Sequence, residues 1–275
     1  MPLRQRTTED PAPPSPAAPE GGPATPPDLP VALVTGASSG IGTAVAERLA
    51  ADGGRAVLLS GRDEARLAAV AASTGGTALP ADLATAEGCR DLARRAVGRA
   101  GRVDVLVAGA GLGWAGRFDV MPAADLDHLV TVNLTSTLRL VHALLPGMVR
   151  RGGGHVVLVA SVAGAVGVRG EAVYSATKGA VRTFADALRQ EVRGDGVAVS
   201  VVLPGAVDTP FFDRRGTPYR RSFPRAVPPE RVADAVCRAL ARGRREVYVP
   251  GWLSVPARIR GAAPGLYDRL AARFG

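Results

Sequence analysis

Short apolar runs alternate along the chain with stretches in which Ala, Val and Leu recur every three or four positions. The apolar runs Pro30–Thr35, Ala56–Ser60, Thr77–Pro80, Val103–Val107, Gly154–Ala160, Val197–Leu203 and Glu246–Val249 read as strands. Most lack polar alternation, as strands covered on both faces do. Helical spacing fills the gaps: from the glycines after Thr35 to Leu49, then Arg90–Ala100, Ala123–Arg150 and Val173–Val192. Strands and helices in regular alternation predict an α/β fold, a doubly wound parallel sheet in one domain spanning residues 29–250. No internal repeat is visible.

Composition adds two flanking segments. Ten of the 22 prolines fall within the first thirty residues, so residues 1–28 are expected to form a disordered Pro-rich tail. That tail has no apolar core of a secretory signal. The longest charge-free runs, such as Gly152–Val168, are Gly-rich and too short to span a bilayer. Cys89 and Cys237 stand alone, without metal-ligand spacing. A soluble cytoplasmic protein without a metal is expected. The net charge of +9 is unevenly spread: from Arg214 onward there are 14 Arg and 4 acidic residues, against 20 basic and 21 acidic residues before it.

The candidate chemistry lies at the ends of the strands. Gly36-Ala37-Ser38-Ser39-Gly40-Ile41-Gly42 joins the first strand to a helix, and backbone N–H groups at such a helix start form an anion site. The second strand ends at Ser60, followed by Gly61, Arg62 and Asp63. No carboxylate stands at the strand end, where one would hold an NAD ribose. Arg62 is placed to pair with a 2′-phosphate or, alternatively, to open a charged helix. Asp82 and Leu83 follow the third strand, placed against an adenine edge, with helix capping by Asp82 or Thr85 as the alternative. Small residues, Ala108-Gly109-Ala110-Gly111, follow the fourth strand and leave room for a ligand. Asn133 falls inside a helix, where Asn is unfavourable; taken alone, it reads as solvent-facing.

Ser161 ends the fifth strand, and Tyr174 and Lys178 stand at i and i+4 on one helix face. Of 34 Lys and Arg residues, Lys178 is the single lysine; a compact ammonium is not interchangeable with a planar guanidinium. A phenol titrates near 10, and a nearby cation lowers it toward neutrality. The sixth strand runs into Pro204-Gly205-Ala206-Val207-Asp208-Thr209, where Thr209 caps a helix, bonds a ligand amide, or does both.

Taken together, these motifs resemble the short-chain dehydrogenase/reductase family over roughly residues 30–250, and the sheet would then be Rossmann-type. Asn133, Ser161, Tyr174 and Lys178 fall in the order and spacing of the family's catalytic tetrad. The resemblance implies that Tyr174 is the acid or base and that Ser161 stabilises the substrate oxygen. Lys178 would lower the tyrosine pKa and hold the nicotinamide ribose, and Asn133 would support a water relay. It further implies a cofactor site formed by Gly36, Ser38, Ser39, Gly40, Ile41, Gly42, Arg62, Asp82, Leu83, Ala108, Gly109, Ala110, Tyr174, Lys178, Pro204, Gly205, Val207 and Thr209. NADP(H) is expected over NAD(H), as is a homo-oligomer. One departure stands out: Ala108-Gly109-Ala110-Gly111 replaces the family's Asn-Asn-Ala-Gly, which removes asparagine side-chain hydrogen bonds.

Residues 208–229 would cover the substrate. Phe211, Phe212, Tyr219 and Phe223 are mixed there with Arg214, Arg215, Arg220, Arg221 and Arg225, suiting a lipophilic carbonyl or alcohol with an anionic group, or a substrate on an acidic carrier protein. The alternative is a solvated loop. In the basic extension, residues 251–275, Leu266, Leu270 and Phe274 form an amphipathic stripe. It would pack on the protein, on a partner subunit, or on an anionic membrane. Nucleic acid is not expected, because no nucleic-acid module accompanies the charge. Readings outside the enzyme class are a dinucleotide-binding regulator and a peripheral membrane protein.

Overall fold

The computed structural model describes residues 29–220, 223–265, 267 and 269. The Pro-rich tail and the Leu266/Leu270/Phe274 stripe lie outside the described residues. Seven parallel strands, β1 (Val31–Thr35), β2 (Ala56–Ser60), β3 (Thr77–Ala78), β4 (Val105–Ala108), β5 (Gly154–Val159), β6 (Val197–Pro204) and β7 (Glu246–Val249), form one sheet in the order β3-β2-β1-β4-β5-β6-β7. This is the Rossmann-type arrangement, and its order reverses between β1 and β4, where open α/β sheets bind ligands.

Strand alternation divides the core in two. Leu33, Leu58, Leu106, Val156 and Val201 face one side. They pack there on α3 (Ala86–Ala100), α5 (Ser136–Arg150) and α7 (Ala172–Glu191) through Leu92, Leu140, Leu144, Val181 and Leu188. Their neighbours Ala32, Val34, Val57, Val107 and Val202 face the other side. They meet α1 (Gly40–Ala51), α2 (Glu64–Thr74) and α9 (Pro229–Arg242) through Val45, Leu49, Leu67, Val232 and Val236. A period of two with apolar residues at both phases requires helices on both faces.

The long helix expected from Ala123 to Arg150 is not continuous. It comprises α4 (Ala123–Val130), a π-helical turn (Thr131–Thr135) and α5. The third strand is two residues long rather than four. Short helices α6 (Ala163–Val166), α8 (Phe211–Arg214) and α10 (Ser254–Ala262) complete the chain. The described part of the C-terminal extension packs on its own protein: α10 contacts α6, and Arg260 Nη1 donates to the Ala165 carbonyl at 3.0 Å. No helix among the described residues is long and apolar enough to cross a membrane.

A buried histidine lies near the start of β5. The Ser200 hydroxyl donates to the Arg244 carbonyl at 2.6 Å and meets His155 Nε2 at 2.8 Å. A hydroxyl has one proton to give, so Nε2 carries the ring proton of a neutral imidazole. Burial, then the nearby Arg55 charge, pushes His155 down to about 4. The unfolded chain therefore takes up a proton near pH 6.5 that the folded chain refuses until about 4. Stability is expected to be level above that window and to fall by about 3 kcal/mol as pH drops through it. Urea midpoints at pH 7 and 4.5 measure this, and His155→Gln should flatten the difference.

Candidate active site

The glycine loop builds one end of a cleft of about 880 Å³ that runs along the carboxyl edge of the sheet. Gly36, at φ 74°, reverses the chain after β1, and Gly42 brings α1 back against it. A Cβ on Gly42 would stand 2.1 Å from the Gly36 carbonyl oxygen, so only glycine allows this approach. Gly42→Ala is therefore expected to dismantle the loop. Its thermal midpoint should fall by at least several degrees, as a backbone clash costing a few kcal/mol implies, and added NADPH should not restore it. Ser39 is the N-cap residue of α1, but its side chain makes no capping hydrogen bond. Instead its hydroxyl accepts from Arg214 Nη1 at 2.8 Å.

The charged helix after β2 starts later than Arg62. Asp63 caps α2, accepting from the Arg66 N–H at 2.9 Å and pairing with the Arg66 side chain. Arg62 lies ahead of the helix on the cleft wall. Likewise Thr85 takes the cap of α3, accepting from Gly88 N–H at 2.9 Å. Asp82 accepts from Ala84 N–H and, with Leu83, lines the cleft. Gly109 and Ala110 line it too, but Ala108 does not: its side chain is buried in the core at the end of β4. Strand alternation aims it away from the ligand edge. Where the missing asparagines would have braced this loop, Thr35 Oγ1 accepts from both Gly109 N–H (3.1 Å) and Ala110 N–H (3.2 Å).

Asn133 is buried, not solvent-facing. The π-helical turn rotates it inward, where Oδ1 accepts from Leu112 N–H at 2.7 Å and Nδ2 donates to the Leu112 carbonyl at 2.9 Å. π-turns concentrate at functional sites, and this one clamps the segment after Gly111. A Cβ on Gly111 would lie 3.3 Å from Asn133 Oδ1 and 3.4 Å from Lys178 Nζ, so a side chain there would crowd both groups.

Ser161 and Tyr174 share the cleft wall, near enough that the Ser161 hydroxyl favours the phenolate. Ser161 Oγ also accepts from Ala163 N–H at 3.2 Å, which fixes it at the sheet edge. Lys178 is buried, donates from Nζ to the Val159 carbonyl at 2.9 Å, and sits 5.9 Å from the centre of the Tyr174 ring. The tyrosine pKa moves opposite to the sequence expectation. Burial pushes Tyr174 up to about 12, with the Ser161 hydroxyl pulling the other way. Burial brings Lys178 down from 10.5 to about 8. At this position the cost of desolvating the phenolate exceeds what the Ser161 hydroxyl and the Arg215 charge return. Pro204, Gly205, Val207 and Thr209 line the cleft opposite, and Thr209 Oγ1 accepts from Phe211 N–H at 3.4 Å at the start of α8.

Beyond Tyr174 the wall is aromatic: Tyr174, Phe211, Phe212 and Tyr219 follow one another at ring distances of 5.7, 5.5 and 5.0 Å. Arg215 stacks on Phe212 at 4.6 Å and is neutralised by the half-buried Glu171 carboxylate. That arginine is therefore committed to the wall, and Glu171 is a residue that sequence reading missed, since nothing in its spacing points to Arg215. Phe223 turns outward and stacks on Trp252 at 5.3 Å. Arg221 lies outside the described residues.

A parallel sheet with a glycine-loop cleft and a Ser–Tyr–Lys cluster at its carboxyl edge defines a dinucleotide-dependent oxidoreductase. A family model described as short chain dehydrogenase matches residues 30–219, and the chain belongs to that family. It is 36% identical over 225 residues to the ketoacyl reductase HetN of Nostoc sp., covering 79% of this chain and 77% of that one. A short-chain dehydrogenase from Sphingobium yanoikuyae in complex with NADPH superposes with a TM-score of 0.78 at 32% identity, covering 87% of this chain and 95% of that one. One from Burkholderia phymatum in complex with NAD superposes at 0.77 with 27% identity and the same coverage. A nicotinamide dinucleotide is the cofactor these likenesses support, and the bare glycine backbone at the start of α1, which lines the cleft, fits an anionic group such as its pyrophosphate.

Proposed function

We propose that this protein transfers a hydride between NADP(H) and a lipophilic carbonyl/alcohol pair. The observation that carries the reading is the gathering of Ser161, Tyr174 and the buried Lys178 on one cleft wall, the last two one helical turn apart. When bound, the dinucleotide supplies or accepts the hydride. In the reducing direction Tyr174, protonated throughout the neutral range, gives its proton to the carbonyl oxygen. Ser161 donates a hydrogen bond to the same oxygen and stabilises its developing charge. Lys178 holds the ribose hydroxyls and offsets the transient phenolate, and Asn133, beside it, supports the path by which the proton is replaced.

The preference for NADP(H) rests on the carboxylates around β2. Ser60 ends the strand, and Asp63 is occupied as a helix cap and ion-pair partner. No acid at the strand end is thus placed to repel a 2′-phosphate, and Arg62 stands on the cleft wall. The aromatic wall, in which the Arg215 guanidinium is neutralised by Glu171, favours an apolar substrate body.

A second reading, reduction of a 3-oxoacyl group on an acidic carrier protein, is favoured by the exposed Arg220 on the cleft wall and by the likeness to HetN. NADPH and NADH oxidation against ketones, quinones, steroids and 3-oxoacyl thioesters tests both. Turnover with NADPH on small lipophilic ketones supports the first reading. Turnover confined to carrier-bound substrate and collapsing with salt supports the second. Dinucleotide binding without turnover on any class would overturn both.

A further inference from the structure

Three guanidinium groups from three different segments gather at the cofactor end of the cleft: Arg62 from the β2–α2 turn, Arg66 from α2, and Arg214 from α8. Arg66 is committed to Asp63. Arg214 crosses from the segment over the substrate site to the glycine loop, where its contact is the Ser39 hydroxyl. That hydroxyl has no capping duty of its own. The Arg214 side chain therefore reaches the dinucleotide loop and stops, with most of its N–H donors left over. Arg214 is exposed, yet desolvation against the cleft wall, then the positive charges of Arg66 and Arg62, lower its pKa. Like charges held together in this way repel one another unless an anion joins them. Arginine's planar fork is the group that takes a phosphate through paired hydrogen bonds.

We propose that Arg214 is a second ligand for the 2′-phosphate of NADP(H), acting with Arg62 to set cofactor choice from the lid side of the cleft. The proposal rests on the NADP(H) reading above. It also links the two halves of the site. The chain neighbour Arg215 is paired to Glu171, and Phe211, on the same four-residue helix, lies against Tyr174. Phosphate binding through Arg214 thus fixes the helix that also carries the substrate wall.

The test is direct binding to the full chain, measured by titration calorimetry with NADPH, NADH and adenosine 2′,5′-bisphosphate. Arg214→Gln is expected to weaken NADPH and the bisphosphate by about ten- to a hundredfold, the scale of a charge-assisted hydrogen bond, and to leave NADH unchanged. Arg214→Lys should recover part of the loss. Equal weakening of NADPH and NADH would overturn the assignment and place Arg214 on the pyrophosphate or in the lid's own structure. So would unchanged binding of both. Failure of the underlying reading looks different: wild-type protein would bind NADH as tightly as NADPH, and Arg62→Gln would alter neither. Thermal midpoints of each variant, measured without ligand, separate a binding loss from unfolding.

Discussion

Tyr174→Phe is expected to cut turnover by about a thousandfold, the usual worth of a positioned general acid, while leaving NADPH affinity nearly intact. The substitution removes one oxygen and little else. The ring keeps its place against Phe211 at 5.7 Å. Ser161 keeps its bond from the Ala163 N–H and its contact with the Pro204 carbonyl. The glycine loop, at the other end of the cleft, is untouched. The other tyrosine on the cleft wall does not replace the lost proton, because Tyr219 is separated from the position by Phe211 and Phe212. Single-turnover absorbance with prebound NADPH reads the chemical step, and substantial hydride transfer in this variant would sink the proposed mechanism.

Lys178→Met should separate activity from stability in opposite directions. Turnover is expected to fall by about a hundredfold or more, as when a group that stabilises developing charge is removed. Stability at pH 7 should rise. Holding the ammonium in this buried position lowers its pKa from 10.5 to about 8, a cost of about 3 kcal/mol while the group stays protonated. Losing the hydrogen bond to the Val159 carbonyl returns about 1 kcal/mol of that, leaving a net gain of about 1–2 kcal/mol. The sign can be checked through pH. Between pH 8 and 10.5 the unfolded chain keeps a proton that the folded chain has released, so wild-type stability rises across that window. The methionine variant should lack the rise. Denaturant midpoints at pH 7 and 10 measure both effects, and a variant less stable than wild type at pH 7 would show that the buried ammonium holds the fold together.

Much of the architecture could be read from periodicity because a doubly wound sheet writes itself into local sequence. Strands buried on both faces carry unbroken Val/Leu runs, and the glycines after β1 stand where no side chain fits. The Tyr174–Lys178 spacing is a property of one helix. Asn133 marked itself as an oddity by residue type, yet its direction was misread. A π-helical turn shifts every side chain after it, and nothing in Thr131–Thr135 announces one. The Ala108–Gly111 departure looked like a loss of support, and Thr35, seventy-odd positions earlier in the chain, supplies the bonds instead.

What the sequence by itself determined is whatever depends on neighbours a few residues apart. That covers the order of strands and helices, the anion-binding loop, the residue types available for proton transfer and the uneven charge. The tertiary structure decided what depends on approach between distant segments. It brought Ser161 and Tyr174 to one cleft wall, paired Arg215 with Glu171, and carried Arg214 to Ser39. It also decided the protonation of the site. A phenol and an ammonium at i and i+4 predict mutual assistance in water. Packed beneath the sheet edge, each instead loses hydration, so burial moves the tyrosine up and the lysine down. Spacing along a helix fixes distance between neighbours, but the surrounding dielectric belongs to the whole fold.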